Sequence, residues 1–126
     1  MEKLILESTL NSPRVVLDPE ADIFEFSGES RPENVRNFYI PILQWLEQFG
    51  AEVSGGCTFS FNFEYFNSTS AKYVLDIFKV LQSIREEGHE IQVKWHYEED
   101  DEDMYEVGME MSRMSGLPFD YVKEEL

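Results

Sequence analysis

The strongest structural signal in this chain is a strict alternation of apolar and polar side chains over residues 57–65. The apolar positions are Cys57, Phe59, Phe61, Phe63 and Tyr65, and the same pattern returns at Ile91, Val93, Trp95 and Tyr97. Successive side chains of a β-strand point to opposite faces, so each segment predicts a strand with one buried and one solvated face. A parallel strand covered on both faces has a continuous apolar run instead. We therefore expect helices mainly on one face of the sheet.

The remaining segments alternate between strand and helix patterns. Two short apolar segments, Arg14–Asp18 and residues 23–27, are separated by turn residues and predict an antiparallel hairpin. Apolar residues at helical spacing predict helices over residues 35–49, 70–87 and 101–115, and residues 117–122 predict a last strand. Pro41 lacks an amide hydrogen, so it should kink the first helix or mark a broken start.

These elements follow one another in the order ββαβαβαβ. We therefore expect an α+β, two-layer fold with a mixed sheet of about five strands, in which strand–helix–strand units form right-handed parallel crossovers. Residues 1–126 have the length of one ordinary domain. The second helix has an apolar arc wider than one sheet needs, which includes Tyr73, Ile77 and Ile84. This arc packs either on a neighbouring helix or on a partner protein.

Charge narrows the set of partners. The chain has 26 acidic and 10 basic residues, which give a net charge of −16. Such a charge repels nucleic acids and anionic membrane surfaces, so neither is expected as a partner. Residues 1–10 include Glu2 and Glu7 and form no signal-peptide core, and no segment approaches the roughly 20 apolar residues that span a bilayer. We expect a cytoplasmic protein.

Sequence motifs for catalysis and cofactor binding are absent. There is no Gly-rich phosphate loop and no Gly-x-Ser-x-Gly turn, and His89 and His96 lack a nearby cysteine. The single cysteine, Cys57, alternates with large aromatic residues and is expected to be buried and reduced. We therefore expect a protein that is not an enzyme, with no catalytic residue, cofactor or metal.

An acidic run at residues 98–103 provides an alternative. Its carboxylates suit a hard cation such as calcium or magnesium in a metal-dependent enzyme, but the run lacks the glycine and the ligand spacing of an EF-hand loop. The favoured interpretation is that these acids begin the third helix, complement its dipole and remain solvated.

The junction between the third predicted strand and the second helix contains the polar run Asn67, Ser68, Thr69 and Ser70. Capping the first free amides of the helix accounts for one or two of these residues, but not for all. A phosphate at this position would be stabilised by the helix dipole and by the same amides. From the residues alone the run is either a cap, as in a constitutive structural adaptor, or a phosphorylation site.

Four stretches of the sequence resemble the SiaC family of regulatory phosphoproteins, small bacterial domains similar in architecture to the anti-sigma-factor antagonist (STAS) proteins. The stretches are residues 26–34, 65–70, 75–78 and 93–97, or FSGESRPEN, YFNSTS, LDIF and VKWHY. Their order and spacing extend through most of the domain. The resemblance implies a STAS-like fold and a regulatory function in a partner-switching pathway.

By position, the resemblance implies that Ser68 is the phosphate acceptor, although the family often has threonine there; Thr69 is the alternative. It further implies a dedicated kinase with a histidine-kinase-like ATPase fold and a PP2C-type phosphatase. The unphosphorylated form would bind and activate an output protein such as a diguanylate cyclase, which links the switch to cyclic di-GMP and biofilm formation. The expected partner-binding surface comprises Asn67, Thr69, Ser70, Pro32, Glu33 and Asn34.

Overall fold

The computed structural model describes residues 1–125, which form one six-stranded sheet and three helices. The strands are β1 (Leu4–Leu6), β2 (Arg14–Asp18), β3 (Ile23–Ser30), β4 (Cys57–Phe66), β5 (Ile91–Glu98) and β6 (Phe119–Glu124). The helices are α1 (Val35–Glu52), α2 (Ser68–Glu86) and α3 (Glu102–Ser115). Within residues 1–125, every helix is too short or too polar to cross a membrane.

The strands lie in the sheet in the same order as in the chain, from β1 to β6. The first three are antiparallel neighbours, and β3, β4, β5 and β6 are parallel. Each parallel connection passes through one helix and moves in the same direction along the sheet. Right-handed crossovers of this kind place all three helices on one face. The contacts of α2 with both α1 and α3 agree with that arrangement, and the predicted mixed sheet with helices on one face is confirmed.

The structure has one strand more than predicted, because β1 precedes the hairpin. In this strand Leu4 pairs with Leu17 and Leu6 with Val15, so its leucines share the helix-bearing face. The chain just before β1 is also held by α1, because Trp45 Nε1 donates to the Glu2 carbonyl at 2.9 Å. Three residues are too few to show an alternation in the sequence, and their conformation depends on these long-range contacts.

The first helix begins at Val35 and continues through Pro41 to Glu52. Pro41 therefore does not mark a broken start, which was one of its two expected roles. The side chain of Asn34 caps the helix by accepting the backbone N–H of Asn37 at 3.1 Å. Pro41 is exposed, so its ring occupies no space in the core.

Glycines permit close packing between the helices and their neighbours at two points. A Cβ on Gly50 of α1 would lie 2.7 Å from Ile84 Cγ1 of α2, and a Cβ on Gly108 of α3 would lie 2.5 Å from the Trp95 ring. The Tyr39 and Tyr73 rings stack between α1 and α2 with centroids 5.7 Å apart. The wide apolar arc of α2 therefore packs on a neighbouring helix, the first of the two expected arrangements.

Candidate functional site

A β-bulge in β4 sets the direction in which the chain leaves the sheet. Gly28 of β3 pairs with Phe63, but the next residue, Glu29, pairs with Tyr65, so Glu64 is an extra residue in β4. One extra residue reverses the faces of all side chains that follow it. Tyr65 was predicted on the buried face, and this prediction is wrong: the side chain is 48% exposed. Phe66 instead packs on the core, with its ring 5.3 Å from that of Phe63.

The second helix begins at Ser68, immediately after the bulge, and Asn67 is its cap. The Asn67 Oδ1 accepts the backbone N–H of Ser70 at 2.9 Å and the Thr69 hydroxyl at 3.1 Å. Asn67 alone therefore caps the helix with its side chain, although the run contains four polar residues. Ser68 occupies the first helical position with its side chain exposed, and the cap does not use its hydroxyl.

The three consecutive hydroxyls of the junction have different environments. Ser68 and Thr69 are exposed, whereas Ser70 is 0% exposed. The Ser30 hydroxyl donates to Ser70 Oγ at 2.9 Å, and Tyr39 Oη lies 2.5 Å from Ser30 Oγ. The side chain of Ser70 therefore lies inside the domain, and its expected place on a partner-binding surface is wrong.

The loop at residues 32–34 lies at the same edge of the sheet as the junction, because it follows β3, the strand next to β4. The Ser30 carbonyl at the end of β3 accepts the backbone N–H of Asn67 at 3.1 Å, which ties the two strand ends together. Glu33 and Asn34 are exposed and Pro32 is half-buried. The carboxyl ends of adjacent parallel strands are common locations for binding sites.

The first turns of the two helices at the junction contrast with the acidity of the whole chain. Neither α1 nor α2 has an acidic residue in its first turn. Arg36 lies in the first turn of α1, and Lys72 lies one helical turn after Ser68 in α2. The amino end of a helix carries a partial positive charge, so an anion attached to Ser68 would be stabilised.

The acidic run lies at the start of α3, as predicted. Asp101 caps this helix by accepting the backbone N–H of Met104 at 3.0 Å, and Glu102 and Asp103 follow in the first turn. Among the described residues, no group of three or more histidine, cysteine, aspartate or glutamate side chains is arranged to hold a metal ion. The run therefore offers no geometric support for a metal-dependent enzyme.

Cys57 lies away from the junction, and His96 is engaged with a carboxylate of β6. Cys57 is at the opposite end of β4, and its side chain is 8% exposed. Burial, with a smaller contribution from the charge of Asp22, raises the pKa of the Cys57 thiol to about 11. The thiol is protonated at neutral pH, so it is a poor nucleophile. His96 pairs with Glu124, with its Nδ1 2.6 Å from Oε1.

Two residues beneath the junction, Ser30 and Tyr39, were missing from the sequence-based site. They lie nine residues apart from each other, and Ser30 lies 40 residues from Ser70, so no local motif connects them. The available indication was a tyrosine on the apolar face of α1, where the hydroxyl of a buried side chain needs a partner.

Comparisons with known proteins converge on one family. The model of the SiaC family of regulatory phosphoproteins matches residues 6–124. An uncharacterized protein of Pseudomonas aeruginosa is 26% identical over 119 residues, which cover 94% of both chains.

Solved structures show the same fold. The structure of SiaC of Pseudomonas aeruginosa is 23% identical, with a TM-score of 0.85 and complete coverage of both chains. Apo-SiaC from that organism is 25% identical, with a TM-score of 0.87, and covers 97% of this chain and 99% of that chain. A chain in the crystal structure of its diguanylate cyclase SiaD in complex with the activator SiaC is 25% identical, with a TM-score of 0.89. That match covers 96% of this chain and 99% of the other.

Proposed function

The chain belongs to the SiaC family of regulatory phosphoproteins, and from this we propose that it is a non-enzymatic switch controlled by reversible phosphorylation of Ser68. The observation that supports Ser68 is its position: it is exposed at the start of α2, while Asn67 caps the helix and Ser70 is buried. Thr69 is the alternative acceptor, although its hydroxyl donates to Asn67. Because the kinase step consumes ATP, the switch operates in the cytoplasm.

Phosphorylation is a transfer from ATP to the Ser68 hydroxyl. Ser68 Oγ attacks the γ-phosphorus, a new O–P bond forms, the bond to the β-phosphate oxygen breaks, and ADP leaves. The hydroxyl proton passes to a base of the kinase, which we propose has a histidine-kinase-like ATPase fold. A PP2C-type phosphatase would remove the group by hydrolysis: a water oxygen attacks the phosphorus, the Ser68 Oγ–P bond breaks, Oγ takes up a proton and inorganic phosphate leaves; the metal of such a phosphatase would activate the water.

The position of Ser68 suits a phosphate because it combines a helix end that has no acid in its first turn with a lysine on the same helix. The free amides of the first turn and the helix dipole favour the added charge of nearly two units. Lys72 lies four residues after Ser68, at the spacing that brings a lysine beside an acidic group on the same helix face. The phosphate is therefore stabilised without any change in the core.

The output partner we propose is a diguanylate cyclase, which the unphosphorylated form binds and activates. Support comes from the SiaC of Pseudomonas aeruginosa, which is the activator of the diguanylate cyclase SiaD and is similar to this chain over nearly its full length. The contact surface is formed by Asn67, Ser68 and Thr69 together with the loop at residues 32–34. A phosphate on Ser68 must be desolvated when this surface is covered, and this cost releases the partner.

A pair of variants tests the switch. We expect Ser68→Ala to bind the diguanylate cyclase constitutively and Ser68→Asp to bind roughly tenfold more weakly or worse, measured by titration calorimetry. Ser83→Ala is the matched control, because it removes an exposed serine hydroxyl near the other end of α2 and should leave regulation intact. Equal affinities of the alanine and aspartate variants would contradict the proposal.

The competing function is a constitutive adaptor in which the junction is only a cap. Intact mass measurement of the protein purified from its native host distinguishes the two. We expect a fraction heavier by one phosphate that disappears after phosphatase treatment. A single unmodified mass under all growth conditions would favour the adaptor.

A further inference from the structure

Three buried hydroxyls connect α1, β3 and α2 directly beneath the junction. Ser30, Tyr39 and Ser70 are each 0% exposed. The Ser30 hydroxyl donates to Ser70 Oγ at 2.9 Å, and this uses its single proton. Tyr39 must therefore be the donor in the 2.5 Å contact with Ser30 Oγ. The three groups form a directed chain of hydrogen bonds from Tyr39 through Ser30 to Ser70.

This chain occupies a location where an apolar core would otherwise be expected. The Tyr39 ring lies between those of Phe38 and Tyr73, at centroid distances of 4.9 and 5.7 Å. A hydroxyl in such surroundings is costly when it lacks a partner, so the three groups depend on one another. Burial raises the pKa of Tyr39 to about 12, so the phenol remains a hydrogen-bond donor at physiological pH.

We propose that this hydroxyl chain determines which serine of the junction is phosphorylated, by holding Ser70 inside the domain and fixing the start of α2 at Ser68. The inference rests on the proposed phosphorylation of the junction. Ser30 and Tyr39 are positioning residues, because they touch Ser70 and not the transferred phosphate.

The chemistry of phosphate transfer alone does not separate the two serines. Each Oγ would lose its proton to the kinase, form a bond to the γ-phosphorus of ATP and release ADP. The two serines differ in their accessibility to the kinase. For Ser70 to react, its bond with Ser30 must break and the first turn of α2 must unwind, which also removes the cap bond from its amide to Asn67. Ser68 reacts without either change.

Variants of the chain test the proposal through the position of the phosphate. Tyr39→Phe removes the first donor and keeps the ring, and Ser30→Ala removes the central hydroxyl. In both we expect the share of phosphate on Ser70 to rise roughly tenfold, the factor that corresponds to losing one buried hydrogen bond. Ser30→Thr keeps a hydroxyl and should restore the wild-type distribution. The distribution is measured by tandem mass spectrometry of phosphopeptides from protein made in the native host.

The matched control is Tyr121→Phe in β6, which also removes the hydroxyl of a half-buried tyrosine, at a position remote from the junction in the chain. This variant should leave the phosphate distribution unchanged even if it lowers the melting temperature. A merely structural role of Ser30 and Tyr39 would make their variants behave like the control, and that result overturns the inference. In the wild-type protein, a share of phosphate on Ser70 as large as that on Ser68 overturns it without any variant. The absence of phosphate from residues 68–70 of the wild type would instead contradict the proposed function.

Discussion

The starts of α2 and α3 are capped by the same kind of hydrogen bond but differ in charge. Each helix follows a parallel strand and is capped by the side chain of the residue before it, at 2.9 Å for Asn67 and 3.0 Å for Asp101. The cap of α3 is charged, and Glu102 and Asp103 follow it, whereas α2 has a neutral cap and no acid in its first turn.

In a chain with 26 acidic residues, the neutral start of α2 is informative. The α3 sequence itself supplies the negative charge that a helix dipole favours. The α2 sequence supplies a hydroxyl, Ser68, to which negative charge can be added. The dipole of α3 is thus complemented by its own sequence, and under the proposed function that of α2 would be complemented only when Ser68 is phosphorylated.

Alkaline pH should have the largest effect on stability. The start of α2 is linked through Ser70 and Ser30 to the buried phenol of Tyr39, and within residues 1–125 the α3 cap has no such link. Burial raises the pKa of Tyr39 from 10.0 to about 12, so the folded state holds this proton more tightly than the unfolded state. The resulting stability is complete below pH 10 and is lost as the pH rises towards 12, a loss of roughly 2–3 kcal/mol. Urea unfolding at several pH values should show a smaller loss in Tyr39→Phe. Equal slopes for the variant and the wild type would contradict this assignment.

The second-largest difference between the starts of α2 and α3 should appear when their caps are removed. We expect Asp101→Ala to lower the free energy of unfolding by about 1–2 kcal/mol, because it removes both a cap and a charge at the helix end. Asn67→Ala should cost about 1 kcal/mol, since only the hydrogen bonds are lost. Urea unfolding in low and high salt provides the measurement. Only the Asp101→Ala effect should shrink with salt, and a salt-sensitive Asn67→Ala would contradict the comparison.

Exchanging charge in the first turns should give effects of opposite sign. Ser68→Asp adds an acid to the α2 start and should stabilise the domain by about 0.5 kcal/mol, whereas Glu102→Gln should destabilise it by a similar amount. Thermal unfolding of both variants at low ionic strength tests this. A destabilising Ser68→Asp would show that the α2 start does not accept an anion.

The smallest effect concerns Lys72, at the position four residues after Ser68. In the phosphorylated protein, we expect Lys72→Gln to reduce the stabilisation by about 0.3–0.5 kcal/mol, the value typical of pairs at this spacing. Lys79→Gln is the control, because this exposed lysine of α2 lies three turns away from Ser68. The comparison uses the melting temperatures of phosphorylated and dephosphorylated samples, and identical shifts for both variants would remove Lys72 from the phosphate site.

Local patterns predicted most of the fold, and the deviations arise from pairing between distant segments. The alternation over residues 57–65 correctly predicted a strand, but it continues unbroken through Tyr65, where the side chain in fact faces outward. The bulge depends on the partner strand, where Gly28 adopts a φ of +103° opposite Phe63. No residue of β4 alone reveals it.

In the candidate site, too, the local features could be predicted from the sequence and the long-range contacts could not. Asn67 and Ser68 were identifiable because a cap and an exposed hydroxyl are local features of a strand-to-helix junction. The burial of Ser70 was not, because its environment is created by Ser30 and Tyr39 from other elements. A run of similar residues in the sequence thus contains one cap, two exposed hydroxyls and one buried hydroxyl.

The identical order of the strands in the chain and in the sheet has a consequence for biosynthesis. As the polypeptide leaves the ribosome, each new strand can add to the edge formed by the strand before it, and no segment has to wait for a later one. The junction of β4 and α2 can therefore form before α3 is made. Its supporting groups, Ser30 and Tyr39, precede it in the chain, so this region can mature while translation continues.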